Sequence, residues 1–314
     1  MNPKVLIFDS EAPFYARELT ARLPEAEYLA TNDPDEAVAL APGAKVIIGL
    51  APFIPEPAIS AAKGLDWVQA LTTGIDNLLT NPDLKGVALT NCSGIHGPQM
   101  SELAILSMMA LARDFPTILA NQQAGVWDRR KQSLLMGKTL CIIGLGAIAE
   151  TLARVARPFG MQITGVSDGR AEVPGFDRIY RRADLPRAMA EADFTVVLVP
   201  YGPATHHIVG PEAIAAMKPG GYLVNLSRGG CVDEDALLAA LTEGRIGGAS
   251  LDVFAQEPLP ADSPFWHAPR CIVTPHIGGF SDTYHEQALP VVEARMSEYL
   301  SGGVAALKHR LDRE

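Results

Sequence analysis

The sequence predicts an α/β protein with two doubly wound domains, each a parallel sheet covered by helices on both faces. Three observations lead there. The 314 residues exceed the roughly 100 to 200 typical of one domain. Short apolar runs alternate with stretches of helical period, the pattern of parallel strands joined by crossover helices. The series of runs is interrupted once, near residues 99–113, by a longer helical pattern.

In the first third, the strand candidates are residues 5–8, 46–50, 67–71 and 87–89. Between them, residues 34–40 and 57–62 read as short helices, opened by Pro34 and Pro57 at positions suited to a first turn. Met100, Leu103, Ala104, Ser107, Met108 and Leu111 then recur at helical spacing, which predicts a long connecting helix disturbed soon afterwards by Pro116. A polar stretch over 121–132 precedes a second series of strands at 140–143, 163–166, 195–199, 222–226, 248–253 and 272–274. Residues 282–300 read as a helix with Ala288, Val291, Val292 and Met296 on one side. It follows the last strand of the second sheet, so it is expected to cross back. The expected division is 1–95 with 284–314 against 96–283.

Composition excludes several classes. Hydrophobic residues at 48% and charged residues at 20% supply enough apolar surface to rule out wholesale disorder. With 26 Lys and Arg against 36 Asp and Glu, the net charge of -10 repels a phosphate backbone, so no nucleic-acid partner is expected. The apolar run at 5–8 is too short for a signal segment, and no run approaches a membrane span of about 18 residues. A cytoplasmic protein without a membrane partner is expected. Cys92, Cys141, Cys231 and Cys271 form no C-x-x-C pair, so neither a metal site nor a disulfide framework is expected, only buried thiols.

The strongest single motif is Gly144-Leu145-Gly146-Ala147-Ile148-Ala149. It follows the apolar run at 140–143 and opens a helical pattern through Ile148, Leu152, Val155 and Phe159, the context a Rossmann dinucleotide site requires. Gly144 makes the tight turn, Gly146 admits a pyrophosphate to the N–H groups of the helix start, and Ala149 takes the packing position. The next strand ends in Ser167-Asp168-Gly169-Arg170. An acidic residue there suits the ribose diol of NAD, and Asp168 lies 22 residues after Gly146; Ser167 and Arg170 would suit the 2′-phosphate of NADP. The sequence leaves the choice of NAD or NADP open.

Three more strand ends are polar: Asn225 to Gly230, Leu251 to Pro260, and Thr274 to Gly279. Ligands of open α/β sheets bind beyond the carboxyl ends of the strands. Together with Thr72-Thr73-Gly74-Ile75-Asp76, these segments resemble the D-isomer-specific 2-hydroxyacid dehydrogenases over the whole chain, in order and approximate spacing. The resemblance implies a flavodoxin-like substrate domain, a Rossmann cofactor domain, and a catalytic arginine, glutamate and histidine at Arg228, Glu257 and His276. It also implies that backbone N–H groups at Thr73 and Gly74 hold a substrate carboxylate and that Asp252 contacts the nicotinamide amide.

The residue types suit that chemistry. Reduction of a 2-oxo acid delivers hydride to the carbonyl carbon and a proton to its oxygen, and an imidazole beside a carboxylate is a fitting proton donor. Arginine supplies a permanent planar charge for a carboxylate. His96 stands where the family usually has a small residue or Asn, so it either faces the substrate or serves as a hinge. The expected activity is NAD(P)-dependent 2-oxo acid reduction on a small substrate such as glyoxylate or hydroxypyruvate, in a homodimer formed around residues 99–113. The alternatives are a D-3-phosphoglycerate dehydrogenase-like enzyme and a dinucleotide sensor without turnover. Formate dehydrogenases pair their histidine with glutamine where Glu257 stands, which disfavours them.

Overall fold

The computed structural model describes residues 2–311. The chain divides into two compact units, Met1–Ile95 with Ser281–Glu314, and His96–Phe280. Residues 281–283 group with the first unit rather than the second because they form the turn that feeds the last helix: Ser281 O accepts the Tyr284 N–H at 3.2 Å.

The first unit runs β1 (Lys4–Phe8), α1 (Ala12–Arg22), β2 (Glu27–Thr31), α2 (Pro34–Leu40), β3 (Ala44–Gly49), α3 (Glu56–Ala61), β4 (Trp67–Ala70), α4 (Asp76–Thr80) and β5 (Ala88–Thr90). All pairs are parallel, in the order β2-β1-β3-β4-β5. The order reverses at β1 and β3, as in flavodoxin-like sheets. Alternation sends Val5 and Ile7 into one core layer and Leu6 and Phe8 into the other, which is why β1 is apolar throughout. Two elements escape the sequence pattern. On the edge strand β2 only Thr31 is buried, and α1 buries only Ala12, Tyr15 and Leu19.

The second unit begins with α5 (Gly97–Ala112) and α6 (Phe115–Ala124). Pro116 does not end helical structure here. Asp114 takes a left-handed φ of 49°, breaking the chain between the two helices, and Pro116 sits in the first turn of α6, where its missing N–H costs nothing. The two helices are bent by 63°, and among the described residues no single helix is long and apolar enough to cross a membrane.

Then follow β6 (Thr139–Ile143), α7 (Ala147–Ala156), β7 (Gln162–Val166), β8 (Arg178–Tyr180), α8 (Leu185–Glu191), β9 (Phe194–Val197), α9 (Pro211–Ala216), β10 (Tyr222–Asn225), α10 (Glu234–Thr242), β11 (Gly248–Leu251) and β12 (Cys271–Val273). The parallel order β12-β11-β10-β9-β6-β7-β8 is that of a Rossmann sheet with one added strand, and its switch point lies between β6 and β9. The edge strand β8, Arg178-Ile179-Tyr180 followed by Arg181 and Arg182, has no apolar run to show in the hydropathy pattern.

The last helix, α11 (Tyr284–Gly302), belongs to the first unit, where Ala288, Val292 and Met296 pack with Tyr15 and Leu19 of α1. Cys92, Cys141 and Cys231 are buried, Cys271 is partly buried, and all four are free thiols.

Candidate active site

The dinucleotide loop is built as the sequence predicts. At Gly144 φ is 95°, and a Cβ would lie 2.8 Å from the Val199 backbone nitrogen, so only glycine lets β6 turn beneath the chain after β9. Gly146 caps α7 in an extended conformation, and a Cβ there meets nothing within 4 Å. Its open face fronts the helix start, where Ala147 is exposed, Ile148 half-buried and Ala149 buried. Exposed N–H groups at a helix N-terminus beside an open glycine face fit a pyrophosphate.

At the ribose end, Ser167 Oγ accepts the Gly169 and Arg170 N–H groups, both at 3.2 Å, folding the loop after β7. Asp168 Oδ1 accepts the Arg182 N–H at 2.9 Å, and Arg182 Nε stands 3.6 Å from Oδ2. Arg170 reaches toward the glycine loop and the first turn of α7. Its Nη1 donates to Glu150 Oε1 at 2.6 Å and to the Leu145 carbonyl at 2.9 Å.

The reaction end joins the segments that follow β10, β11 and β12. A Cβ on Gly229 would fall 1.9 Å from the Phe254 carbonyl carbon, so glycine is required for these two segments to touch. That contact sets the Arg228 segment against the one carrying Glu257. Arg228 is half-buried, with Nη1 donating to the Ser227 carbonyl at 2.7 Å. Glu257 Oε1 accepts the Phe254 N–H at 2.8 Å, and Oε2 lies 2.6 Å from His276 Nδ1. Burial pushes the Glu257 carboxyl up, but the bonds from His276 and Phe254 and the charges of His276 and Arg228 outweigh it and hold the group below its usual range. An ionised carboxylate only accepts, so Nδ1 carries the hydrogen in this pair and Nε2 is the imidazole's second nitrogen for chemistry.

His276 takes a left-handed φ of 53°, rare for a residue with a side chain, and its neighbours hold it there. Asp252 is the clamp. It is 2% exposed; Oδ1 accepts Thr274 Oγ1 at 2.5 Å and the Ile277 N–H at 3.0 Å, and Oδ2 accepts the Gly278 N–H at 2.8 Å. Its own carbonyl accepts the His276 N–H at 2.8 Å. The resemblance assigns Asp252 to the nicotinamide amide; the geometry directs both carboxylate oxygens to the turn that presents His276. Only the spatial neighbourhood of β11 and β12 reveals this role.

His96 caps α5, is buried, and lies with Cδ2 3.3 Å from the position a Gly279 Cβ would take. Burial lowers its pKa to about 4, so its ring is neutral near neutral pH. In the first unit, Thr73 and Gly74 follow β4, tied by Thr72 Oγ1 to the Gly74 carbonyl at 2.7 Å, Thr73 Oγ1 to the Cys92 carbonyl at 3.2 Å and Asn91 Nδ2 to the Thr73 carbonyl at 2.7 Å. Arg182 is the residue that sequence reading misses, because its pairing with Asp168 depends on β8 lying beside β7.

A Rossmann sheet whose carboxyl edge carries an arginine and a carboxylate–imidazole pair defines a nucleotide-dependent oxidoreductase. Residues 105–278 match the model of the D-isomer specific 2-hydroxyacid dehydrogenase NAD binding domain. The chain belongs to that family, whose members are NAD(P)-dependent 2-hydroxyacid dehydrogenases. It is 32% identical over 314 residues to the glyoxylate/hydroxypyruvate reductase B of Pectobacterium carotovorum subsp. carotovorum, covering 97% of each chain. It is 36% identical over 254 residues to the D-3-phosphoglycerate dehydrogenase of Methanocaldococcus jannaschii, of whose length it spans 48%. Among solved structures it resembles a D-isomer specific 2-hydroxyacid dehydrogenase family protein from Aeromonas salmonicida subsp. salmonicida, with TM-score 0.92, 32% identity and all of both chains covered. It also resembles the NADPH-dependent glyoxylate/hydroxypyruvate reductase of Sinorhizobium meliloti solved with NADP and sulfate, with TM-score 0.82, 27% identity and coverage of 99% and 98%.

Proposed function

We propose that the protein reduces a small 2-oxo acid, glyoxylate or hydroxypyruvate being the leading candidates, with Arg228, Glu257 and His276 as its catalytic residues. The observation that carries the assignment is the His276–Glu257 pair at 2.6 Å, on the sheet edge that also bears Arg228 and the dinucleotide loop. When bound, the dihydronicotinamide supplies the hydride. Arg228 holds the substrate carboxylate and polarises the adjacent carbonyl. As the carbonyl oxygen gains charge, His276 delivers the Nε2 proton to it, and Glu257 stabilises the imidazolium before transfer. The product is the 2-hydroxy acid, formed with uptake of one proton.

The free thiols suit a reducing compartment, here the cytoplasm. A homodimer is supported by the apolar side chains that α5, α6 and the following segment leave exposed: Leu106 at 62%, Trp127 at 91%, and Phe115, Leu119 and Met136. Light scattering at micromolar concentration is expected to give twice the chain mass; a monomer would contradict the dimer. Activity is tested by following dihydronicotinamide absorbance with NADH and NADPH, each against glyoxylate, hydroxypyruvate, pyruvate and phenylpyruvate. Turnover with glyoxylate or hydroxypyruvate is expected. Tight dinucleotide binding with no turnover on any acid would replace this reading with a nucleotide sensor.

A further inference from the structure

Two arginines stand near the end of β7, and their commitments differ. Arg170 is held by Glu150 at 2.6 Å and by the Leu145 carbonyl, contacts that tie it to the glycine loop and the first turn of α7. Arg182, just after β8, gives its backbone N–H to Asp168 Oδ1, faces Oδ2 with Nε, and donates from Nη1 to the Ala204 carbonyl at 2.9 Å. Ala204 lies in the segment after β9. In the sheet, β7 and β9 flank β6, the strand that delivers the glycine loop, so Arg182 joins the segments on either side of that loop. A cation and an anion therefore share one position at the ribose end, and the side chains of Asp168 and Arg182 are 52% and 40% exposed.

We propose that Arg182 is a second cofactor-specificity residue, opposite in sign to Asp168. The proposal rests on the assignment of a nicotinamide dinucleotide to this sheet edge. The ionised carboxylate of Asp168 accepts ribose hydroxyls and repels a 2′-phosphate. Its charge also occupies Arg182. A guanidinium carries five donors in a planar fork, suited to a phosphate once the carboxylate no longer competes. The pair thus makes NAD(H) the preferred cofactor while keeping a phosphate-binding cation in place, and Arg170, paired with Glu150 at similar exposure, is the competing cation that the double variant separates from it.

The test is calorimetric binding of NADH, NADPH, AMP and 2′-phospho-AMP to the full chain, its D168N and R182A variants, and the double variant. The amide introduced by D168N retains an oxygen for the Arg182 N–H, so the loop keeps its shape in that variant. The wild type is expected to bind NADH more tightly than NADPH. D168N is expected to gain affinity for NADPH and 2′-phospho-AMP by about tenfold or more, the worth of a hydrogen bond to a charged group. Relative to D168N, the D168N/R182A variant is expected to lose that gain, while AMP, which has no 2′-phosphate for Arg182 to meet, binds the two variants within about threefold of each other. A gain that survives in the double variant would overturn the role of Arg182 and point to Arg170. No gain in D168N would overturn the competition itself. Failure of the wild type to bind either dinucleotide would instead remove the cofactor assignment on which the proposal stands.

Discussion

Two aspartates in the second unit do opposite kinds of work. Asp252, at the end of β11, is buried, and its carboxylate receives one hydroxyl and two backbone N–H groups from the turn that carries His276. Asp168, at the end of β7, has a half-exposed side chain that meets Arg182. A buried charge with its donors supplied fixes a geometry, and removing it strands those donors. An exposed ion pair contributes little to stability and can be altered cheaply. The reaction end is therefore built to be immobile, and the ribose end to be tuned. Proton delivery tolerates little displacement, whereas cofactor choice is a difference of affinities.

Substitutions can break or sharpen this contrast. The largest effect is expected at His276: His276→Gln should lower the reduction rate by about 10² to 10⁴-fold, the range of general acid catalysis, with NADH affinity unchanged. Single-turnover rates and calorimetry would check both halves, and a near-normal rate would remove His276 from the mechanism. Asp252→Asn places an NH₂ where one of the three donors now finds an acceptor. It is expected to cost about 1 to 3 kcal/mol of stability by denaturant unfolding and to reduce kcat through the displaced His276 turn. Unchanged stability would mean the turn holds itself.

A pH effect of similar size is expected from His96. Its pKa falls from 6.5 to about 4 on folding because the ring is buried. The unfolded chain therefore binds a proton that the folded protein refuses, so stability declines as pH drops through that interval, by roughly 3 kcal/mol in total. Asparagine suits the helix-cap position, and His96→Asn should flatten the decline between pH 6.5 and 4. Parallel curves for the two proteins would show that His96 titrates normally. The smallest effect is expected at the ribose end, where Asp168→Asn should change stability by less than about 1 kcal/mol. A larger loss would mean the loop after β7 is as tightly built as the reaction end.

The same contrast explains what can be read from sequence. Strands buried on both faces, such as β1 and β6, announce themselves as continuous apolar runs, whereas the edge strands β2 and β8 do not. The glycine loop is legible because its logic is local: a strand, a tight turn and a helix start lie within about a dozen residues. Arg228, Glu257 and His276 are nominated by resemblance, and the roles that depend on strand order are not visible. Asp252 reaches Thr274 and Gly278 only because β11 pairs with β12, and Arg182 reaches Asp168 only because β8 pairs with β7. Pro116 misleads because proline both breaks a helix and begins one, and only the left-handed Asp114 before it decides which.

The most direct test of the reaction end asks whether Glu257 and His276 act as one unit. Reduction rates would be compared for Glu257→Gln, His276→Gln and the double variant under identical conditions. If Glu257 works only by holding and charging His276, the double variant should be no slower than His276→Gln alone. Losses that multiply would contradict this, showing that Glu257 acts on the substrate or cofactor independently of the imidazole it touches.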